Sequence, residues 1–307
     1  MQNDCTAVTA PCSHPKATRA RACALFSVSL TPSAMPEGDT IHKLAAALRP
    51  LLEGAVLSRV ATRGRRGDAL REHGAMTAAA VQARGKHLLL DLEAADGRTW
   101  QLRTHLGMYG TWHQYAPDAA WHKPPSGAWA VLTLPDRVLV CFHPRELQWR
   151  PRTAGAHDIP RLDARVGPDL LDPAIDLDAV VARVRAGADP GRPILDVLLD
   201  QSLAAGIGNI YKSEVLFLQG CHPLRPVGEV SEAMLAGLYC DAVRLLRRNL
   251  KPGPRITRER AEEGAFLHVY GRRGEPCHQC GTPIEYALLG EHLRATYWCP
   301  VCQAGNP

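Results

Sequence analysis

Two groups of residues have the types and spacing to do chemistry. The first is Met35-Pro36-Glu37-Gly38-Asp39-Thr40. If the chain starts at Met35 and that residue is removed, Pro36 presents a secondary amine with no peptide bond on its nitrogen. An α-amino group titrates near pH ~7.7–8.0, so a usable fraction is unprotonated at neutral pH. This makes a nucleophile from the main chain, and Glu37 is a carboxyl one residue away, placed to serve as its proton partner. The second group is Cys277-x2-Cys280 with Cys299-x2-Cys302, the first pair followed by Gly281, Thr282 and Pro283. Each pair lets two thiolates converge on one ion, and two such knuckles complete the tetrahedral shell of zinc. Disulfides or a redox pair are the alternative, but no βαβ context surrounds these cysteines and no convincing signal peptide precedes them. A closed four-thiolate shell leaves no place for a catalytic water, so one structural zinc ion is expected.

Other elements must bring a substrate to the Pro36-Glu37 pair. With 307 residues, 46% hydrophobic and 22% charged, the chain can form more than one cored domain. No apolar run approaches the ~20 residues that cross a bilayer, which excludes a helical membrane protein. The net charge of +5 is compatible with a polyanion. It concentrates in the runs Arg63, Arg65, Arg66 and Arg244, Arg247, Arg248, Lys251, Arg255, Arg258, Arg260, which could equally be solvated faces. Cys141, Cys221 and Cys240 read as small buried hydrophobes.

Residues 1–34 are rich in Ala, Ser, Thr, Pro and Arg and have no regular period. The expectation is a disordered leader or translated sequence upstream of the true start. From Thr40, Ile41, Leu44, Ala45 and Leu48 follow helical spacing, with Asp39 or Thr40 as N-cap. Short segments then alternate between turns: Val56–Val60, Thr77–Ala83, His87–Leu92, Thr99–Leu106, Ala128–Leu134 and Val138–Phe142. They predict an antiparallel sandwich or barrel over 35–150. A proline-rich connection over 151–176 leads to helices at Leu177–Arg185, Ile194–Gln201, Asn209–Gln219 and Ser231–Asn249. The helical domain is expected over 177–262 and the cysteine hairpin over 263–307. The architecture is therefore multidomain α+β.

Leu203-Ala204-Ala205-Gly206-Ile207-Gly208-Asn209-Ile210-Tyr211-Lys212 joins two of these helices. A glycine turn feeding a helix start offers free N–H groups to a phosphate, or it is only a packing corner. The cysteine hairpin carries Arg294 with Tyr297 and Trp298, a pairing that suits nucleic acid.

Five separated motifs occur in one order: Met35 to Thr40; Arg84-Gly85-Lys86-His87-Leu88; His105-Leu106-Gly107-Met108-Tyr109-Gly110; Gly206 to Glu214; and Tyr270-Gly271-Arg272-Arg273-Gly274-Glu275-Pro276 ahead of the cysteines. From Met35 to about Gln303 the chain resembles the formamidopyrimidine-DNA glycosylase and endonuclease VIII family. The resemblance implies a β-sandwich with a flanking helix, a helix-two-turn-helix domain and a four-cysteine zinc finger. It implies that Pro36 attacks the sugar of a damaged nucleotide and forms a Schiff base, while Glu37 acts as general acid. Lys86 would assist β-elimination and contact a phosphate. Asn209 and Arg294 would grip phosphates, with Arg294 also the proton donor for δ-elimination, and Tyr270 would add a phosphate contact. Met108 and Tyr109, otherwise readable as core, match the loop that fills the hole left in the duplex; Arg145 and Leu147 match a second wedge, with leucine replacing the usual aromatic.

Asp39 and Thr40 depart from the proline and glutamate common in the family, and the loop between Cys280 and Cys299 is slightly long. The segment Lys251–Phe266, where purine-specific members cover the base, is compact and charged. That segment, together with Pro-Glu-Gly after Met35, leans toward the endonuclease VIII branch and oxidised pyrimidines. The expected activity is a DNA glycosylase and AP lyase acting on damaged DNA by β,δ-elimination, as a cytoplasmic, nucleoid-associated monomer with no small-molecule cofactor. A zinc-containing DNA-binding protein without turnover and a purine-directed glycosylase are the alternatives.

Overall fold

Thr40 sets the start of the first helix earlier than its apolar stripe suggests. Helix α1 spans Gly38–Leu52 with Glu37, rather than Asp39 or Thr40, at its N-cap. The Glu37 N–H reaches Thr40 Oγ1 at 3.4 Å and the Thr40 N–H donates to the Glu37 carbonyl at 3.0 Å, closing the first turn. The computed structural model describes residues 35–152, 166–259 and 264–304. The leader expected over 1–34 lies outside the described residues.

Ile41, Leu44, Ala45 and Leu48 form the buried face of α1 and pack on a sheet of eight antiparallel strands. These are β1 (Val56–Thr62), β2 (Arg71–Arg84), β3 (His87–Ala94), β4 (Thr99–His105), β5 (Thr111–Tyr115), β6 (Ala128–Thr133), β7 (Val138–Phe142) and β8 (Glu146–Arg152). Their order is β5-β7-β6-β1-β2-β3-β4-β8. Register shifts at Leu57/Val60 and Ala78/Ala80 bend the ladder. Leu90 and Leu102 from one end share a core with Leu132, Leu139 and Cys141 from the other, so the sheet closes over itself as a sandwich. Strands β5 and β8 were not foreseen. β5 is buried at nearly every position and shows no alternation, while β8 contains Pro151, which an edge strand tolerates. β8 also runs to Arg152, past the boundary expected at residue 150.

The helical part comprises α2 (Leu177–Gly187), α3 (Ile194–Leu199), α4 (Asn209–Leu218) and α5 (Glu232–Arg248). Asp176 Oδ1 caps α2 through the Asp178 and Ala179 N–H groups, and Ser231 Oγ caps α5 through Met234. Tyr211, Val215, Leu238, Tyr239 and Leu246 lie in its core. A hairpin of β9 (Glu285–Leu289) and β10 (Arg294–Trp298) docks against it. Gln303 ties this end down, accepting from Cys299 N–H and donating to the Cys221 carbonyl, both at 2.9 Å. Cys141 and Cys221 are buried as expected, but Cys240 is exposed, on the solvent side of α5. Among the described residues no helix is long and apolar enough to cross a membrane.

The two domains meet at Gly38, whose N–H donates to the Gly206 carbonyl at 2.9 Å. A Cβ on Gly38 would stand 2.9 Å from Gly206 Cα, backbone against backbone. Gly38→Ala is therefore expected to cost about 1–3 kcal/mol, the usual penalty for overpacking. A urea melt measures it, and an unchanged midpoint would show that the junction yields freely.

Candidate active site at the domain junction

Glu37 is buried, and its carboxylate closes the N-terminus of α4, a partner some 170 residues away in sequence. Oε1 accepts from Ile210 N–H at 2.7 Å; Oε2 accepts from Gly208 N–H at 2.9 Å and from Tyr211 N–H at 3.3 Å. Gly208 is required here, because a Cβ would lie 2.4 Å from the carboxyl carbon of Glu37. The glycine turn thus presents its free N–H groups to a protein carboxylate. Pro36, next to it, is half-buried.

Lys86 lies in the tight turn between β2 and β3 and is half-buried as a residue. Burial of its surroundings pushes its pKa down to about 8; Glu37 opposes that shift, and Arg294 and Arg255 reinforce it. The same four side chains therefore form one electrostatic cluster. Asp169 holds the turn in place: Oδ2 accepts from Gly85 N–H at 2.7 Å and meets His42 Nε2 at 2.9 Å, while Oδ1 accepts from Leu171 N–H. Burial works against the Asp169 charge, but these contacts outweigh it and its pKa falls below the ordinary value. His87 and His105 beside Lys86 are pushed down to about 3 and about 4, chiefly by burial, and so are neutral at pH 7.

Asp39 is buried and paired with Arg255, Nη2 to Oδ1 at 2.8 Å, and Arg255 also lies over the Tyr211 ring. The departure from the common proline is thus one half of a buried ion pair. Glu214 gathers the N–H groups of His268, Val269 and Tyr270 at 2.8–2.9 Å, which sets Tyr270 beside Asn209 and against Tyr297. Asn209 Nδ2 donates to the Ala295 carbonyl at 2.6 Å, so its amide is engaged with the hairpin.

A groove of about 600 Å³ opens beside this cluster, lined among others by Arg66, Met108, Tyr109, Trp129, Arg145 and Arg294. Met108 and Tyr109 are 59% and 77% exposed, apolar surface held at the groove by a turn whose Gly110 N–H donates to the Leu106 carbonyl. Arg145 N–H reaches the same carbonyl, which ties the second loop to the first. The four cysteine Sγ atoms lie within 4.8 Å of one another and could hold a metal ion. Gln279 N–H and Cys302 N–H point at the sulfurs of Cys277 and Cys299, each at 3.4 Å, as knuckle N–H groups do toward thiolate ligands.

The formamidopyrimidine-DNA glycosylase N-terminal domain matches residues 35–149, and the H2TH domain of the same family matches 166–260. The probable endonuclease 8 2 of Streptomyces coelicolor is 40% identical over 275 residues, spanning 88% of this chain and 95% of that protein. The chain belongs to the formamidopyrimidine-DNA glycosylase family. A DNA-(apurinic or apyrimidinic site) lyase, Nei2, of Mycolicibacterium smegmatis is 37% identical over 89% of this chain and its own full length. In fold the chain matches the Lactococcus lactis formamidopyrimidine-DNA glycosylase, with a TM-score of 0.70 at 24% identity over 88% of this chain and all of that one; that protein is bound non-covalently to DNA containing an AP site.

Leu147 is not exposed as the resemblance implied. It was expected to stand out as a second wedge, but it is 8% exposed and packs inside the sandwich, paired with Thr104 across β4 and β8. The alternation of β8 turns Glu146 outward and Leu147 inward. Asp169, Glu214, Lys212 and Arg255 were missed as organisers of the site. Their partners lie 43 to 216 residues away in sequence, and no local spacing marks them.

Proposed function

We propose that this protein is a bifunctional DNA glycosylase and AP lyase that removes oxidised pyrimidines. The observation that carries the reading is the seating of the Pro36-Glu37 pair against the start of α4, with Lys86 and Arg294 in the same electrostatic cluster. The Pro36 amine attacks C1′ of the damaged nucleotide; the C1′–N bond breaks and the base leaves with a proton. Glu37 moves protons at the amine and the opening sugar. As the C1′–O4′ bond breaks the sugar opens to a Schiff base on Pro36; loss of a C2′ proton to solvent then breaks the C3′–O bond with the 3′ phosphate leaving, and loss of the C4′ proton, with Arg294 as proton donor to the leaving 5′ phosphate, breaks the C5′–O bond. Lys86, Asn209, Arg294 and Tyr270 hold the phosphates, and Met108, Tyr109 and Arg145 fill the duplex where the nucleotide has left. The amine exists only when Pro36 is terminal, so the active form begins there.

The four cysteines would hold a single zinc ion: Zn–S bonds of ~2.3 Å bring tetrahedral sulfurs to ~3.8 Å separations, and Cys277 and Cys302 stand 3.9 Å apart. This ion supplies structure to the hairpin and no chemistry. No small-molecule cofactor enters the scheme, and the enzyme works as a cytoplasmic monomer on nucleoid DNA. Preference for pyrimidines is supported by the anchoring of the segment after α5. Arg255 is tied to Asp39, and the Ile256 N–H is tied to the Asn249 side chain at 2.8 Å. That holds the described part of this segment against the protein body. Incision of duplexes carrying thymine glycol or 8-oxoguanine tests the reading: faster cleavage at thymine glycol is expected, and the reverse order would make the enzyme purine-directed.

The Lys86 contact gives a pH dependence. Below about pH 8 its amine is charged and can meet a phosphate; above that the charge is lost. Raising the pH from ~7 to ~9 should weaken binding to a tetrahydrofuran-containing duplex by up to about tenfold. Lys86→Met should remove that dependence, and a titration of affinity for both proteins would reveal it.

A further inference from the structure

Lys212 sits on α4 one turn after Asn209, has no solvent exposure and takes no part in the chemistry above. Its Nζ donates to Thr296 Oγ1 at 2.8 Å and to the Ala295 carbonyl at 3.2 Å. Thr296 Oγ1 in turn donates to the Arg294 carbonyl at 2.9 Å, and Thr296 is itself fully buried. The Arg294 carbonyl is therefore held through Thr296 by a chain of hydrogen bonds that starts at Lys212, and the Ala295 carbonyl is shared between Lys212 and Asn209 Nδ2.

We propose that Lys212 is the positioning residue for Arg294, aligning its guanidinium with the groove by clamping the hairpin strand from behind. The inference rests on the reading of Arg294 as a phosphate-gripping group. Placing an amine in this interior is costly, since burial pushes its pKa down to about 7 despite Glu37 and Asp196 nearby, with Arg294 adding to the shift. An apolar residue would fill the seat at lower cost if packing were its only task. The arrangement also makes α4 the common ruler of the site. Its N-terminus seats Glu37 from the start of the chain, its first turn carries Asn209, and its second turn fixes Arg294 from the end.

The test is a binding cycle on a tetrahydrofuran-containing duplex, using the parent protein, Lys212→Met, Arg294→Ala and the double variant. Lys212→Met is expected to weaken binding about tenfold, and the double variant should bind no more weakly than Arg294→Ala alone, because both changes remove the same grip. The pair Thr296→Val and Thr296→Ser covers the case in which Lys212→Met fails to fold: loss with valine and parental affinity with serine assigns the effect to the hydroxyl relay. Parental binding by Lys212→Met, additive losses in the double variant, or equal behaviour of the two Thr296 variants overturns the proposal. Because the duplex analogue cannot be cleaved, a protein that binds it with this pattern but incises no lesion would refute the enzymatic reading and leave the Lys212 inference standing.

Discussion

A chain that keeps Met35 ahead of Pro36 is expected to form no borohydride-trapped adduct with abasic DNA, whereas a chain beginning at Pro36 is trapped in full. The reason is the chemistry of one nitrogen. In Met35-Pro36 it belongs to a tertiary amide, its lone pair is delocalised into the carbonyl, and it cannot attack C1′. Freed, it is a secondary amine that titrates near neutrality. The described contacts of the site do not run through the extra residue: Glu37 remains seated on α4, and Asn209 keeps its bond to the hairpin. Binding to a tetrahydrofuran-containing duplex by the Met35-bearing chain should therefore stay close to that of the Pro36-terminal form while strand cleavage disappears. If both forms cleave, the nucleophile lies elsewhere. If both bind and neither cleaves, the protein is a damage binder without turnover.

The second large effect belongs to Glu37. A carboxamide in its place offers one acceptor oxygen where the carboxylate offers two, and its NH2 must face N–H donors from Ile210 or from Gly208 and Tyr211. Glu37→Gln thus sets donor against donor in a buried site. It is expected to cost about 2–4 kcal/mol of stability, at the scale of lost charge-assisted bonds and newly unsatisfied groups. Removing the proton carrier should also slow base release about 10²–10⁴-fold, the usual contribution of a positioned acid or base. Single-turnover excision followed beside a denaturant melt separates the two effects. A variant that is destabilised yet excises at the parental rate would make Glu37 a structural clasp only.

Much of this site could be read before the fold was known, and what could not has a common physical cause. The Pro36-Glu37 pair, the paired cysteines and the Gly206 to Asn209 turn are local patterns whose chemistry is written in adjacent residues. The sandwich followed from short apolar segments between turns, such as His87–Leu92, and the helices from periodic stripes such as that of Ile41 to Leu48. Hidden from the sequence were the contacts that make a site of these pieces. Asp169 reaches Gly85 across 84 positions, and Arg255 reaches Asp39 across 216. Each is a single charged residue in an ordinary local context. Leu147 failed for the opposite reason, because its place beside Arg145 looked like a wedge while the pleat of an unforeseen edge strand turned it into the core. Lys212 could be seen only as a passing residue of the turn motif, since its role appears when a hairpin more than eighty residues later folds back on α4.

The central claim is that the reacting nitrogen is that of Pro36, and Lys86, with a pKa of about 8 in the same cluster, is the amine that could replace it. Reduction of the complex between the Pro36-terminal protein and an abasic-site duplex, followed by proteolysis and mass spectrometry of the DNA-linked peptide, decides between them. The account predicts the sugar remnant on the nitrogen of Pro36, with Lys86→Met still trapped. A remnant on the Lys86 side chain, or on any other lysine, would contradict it.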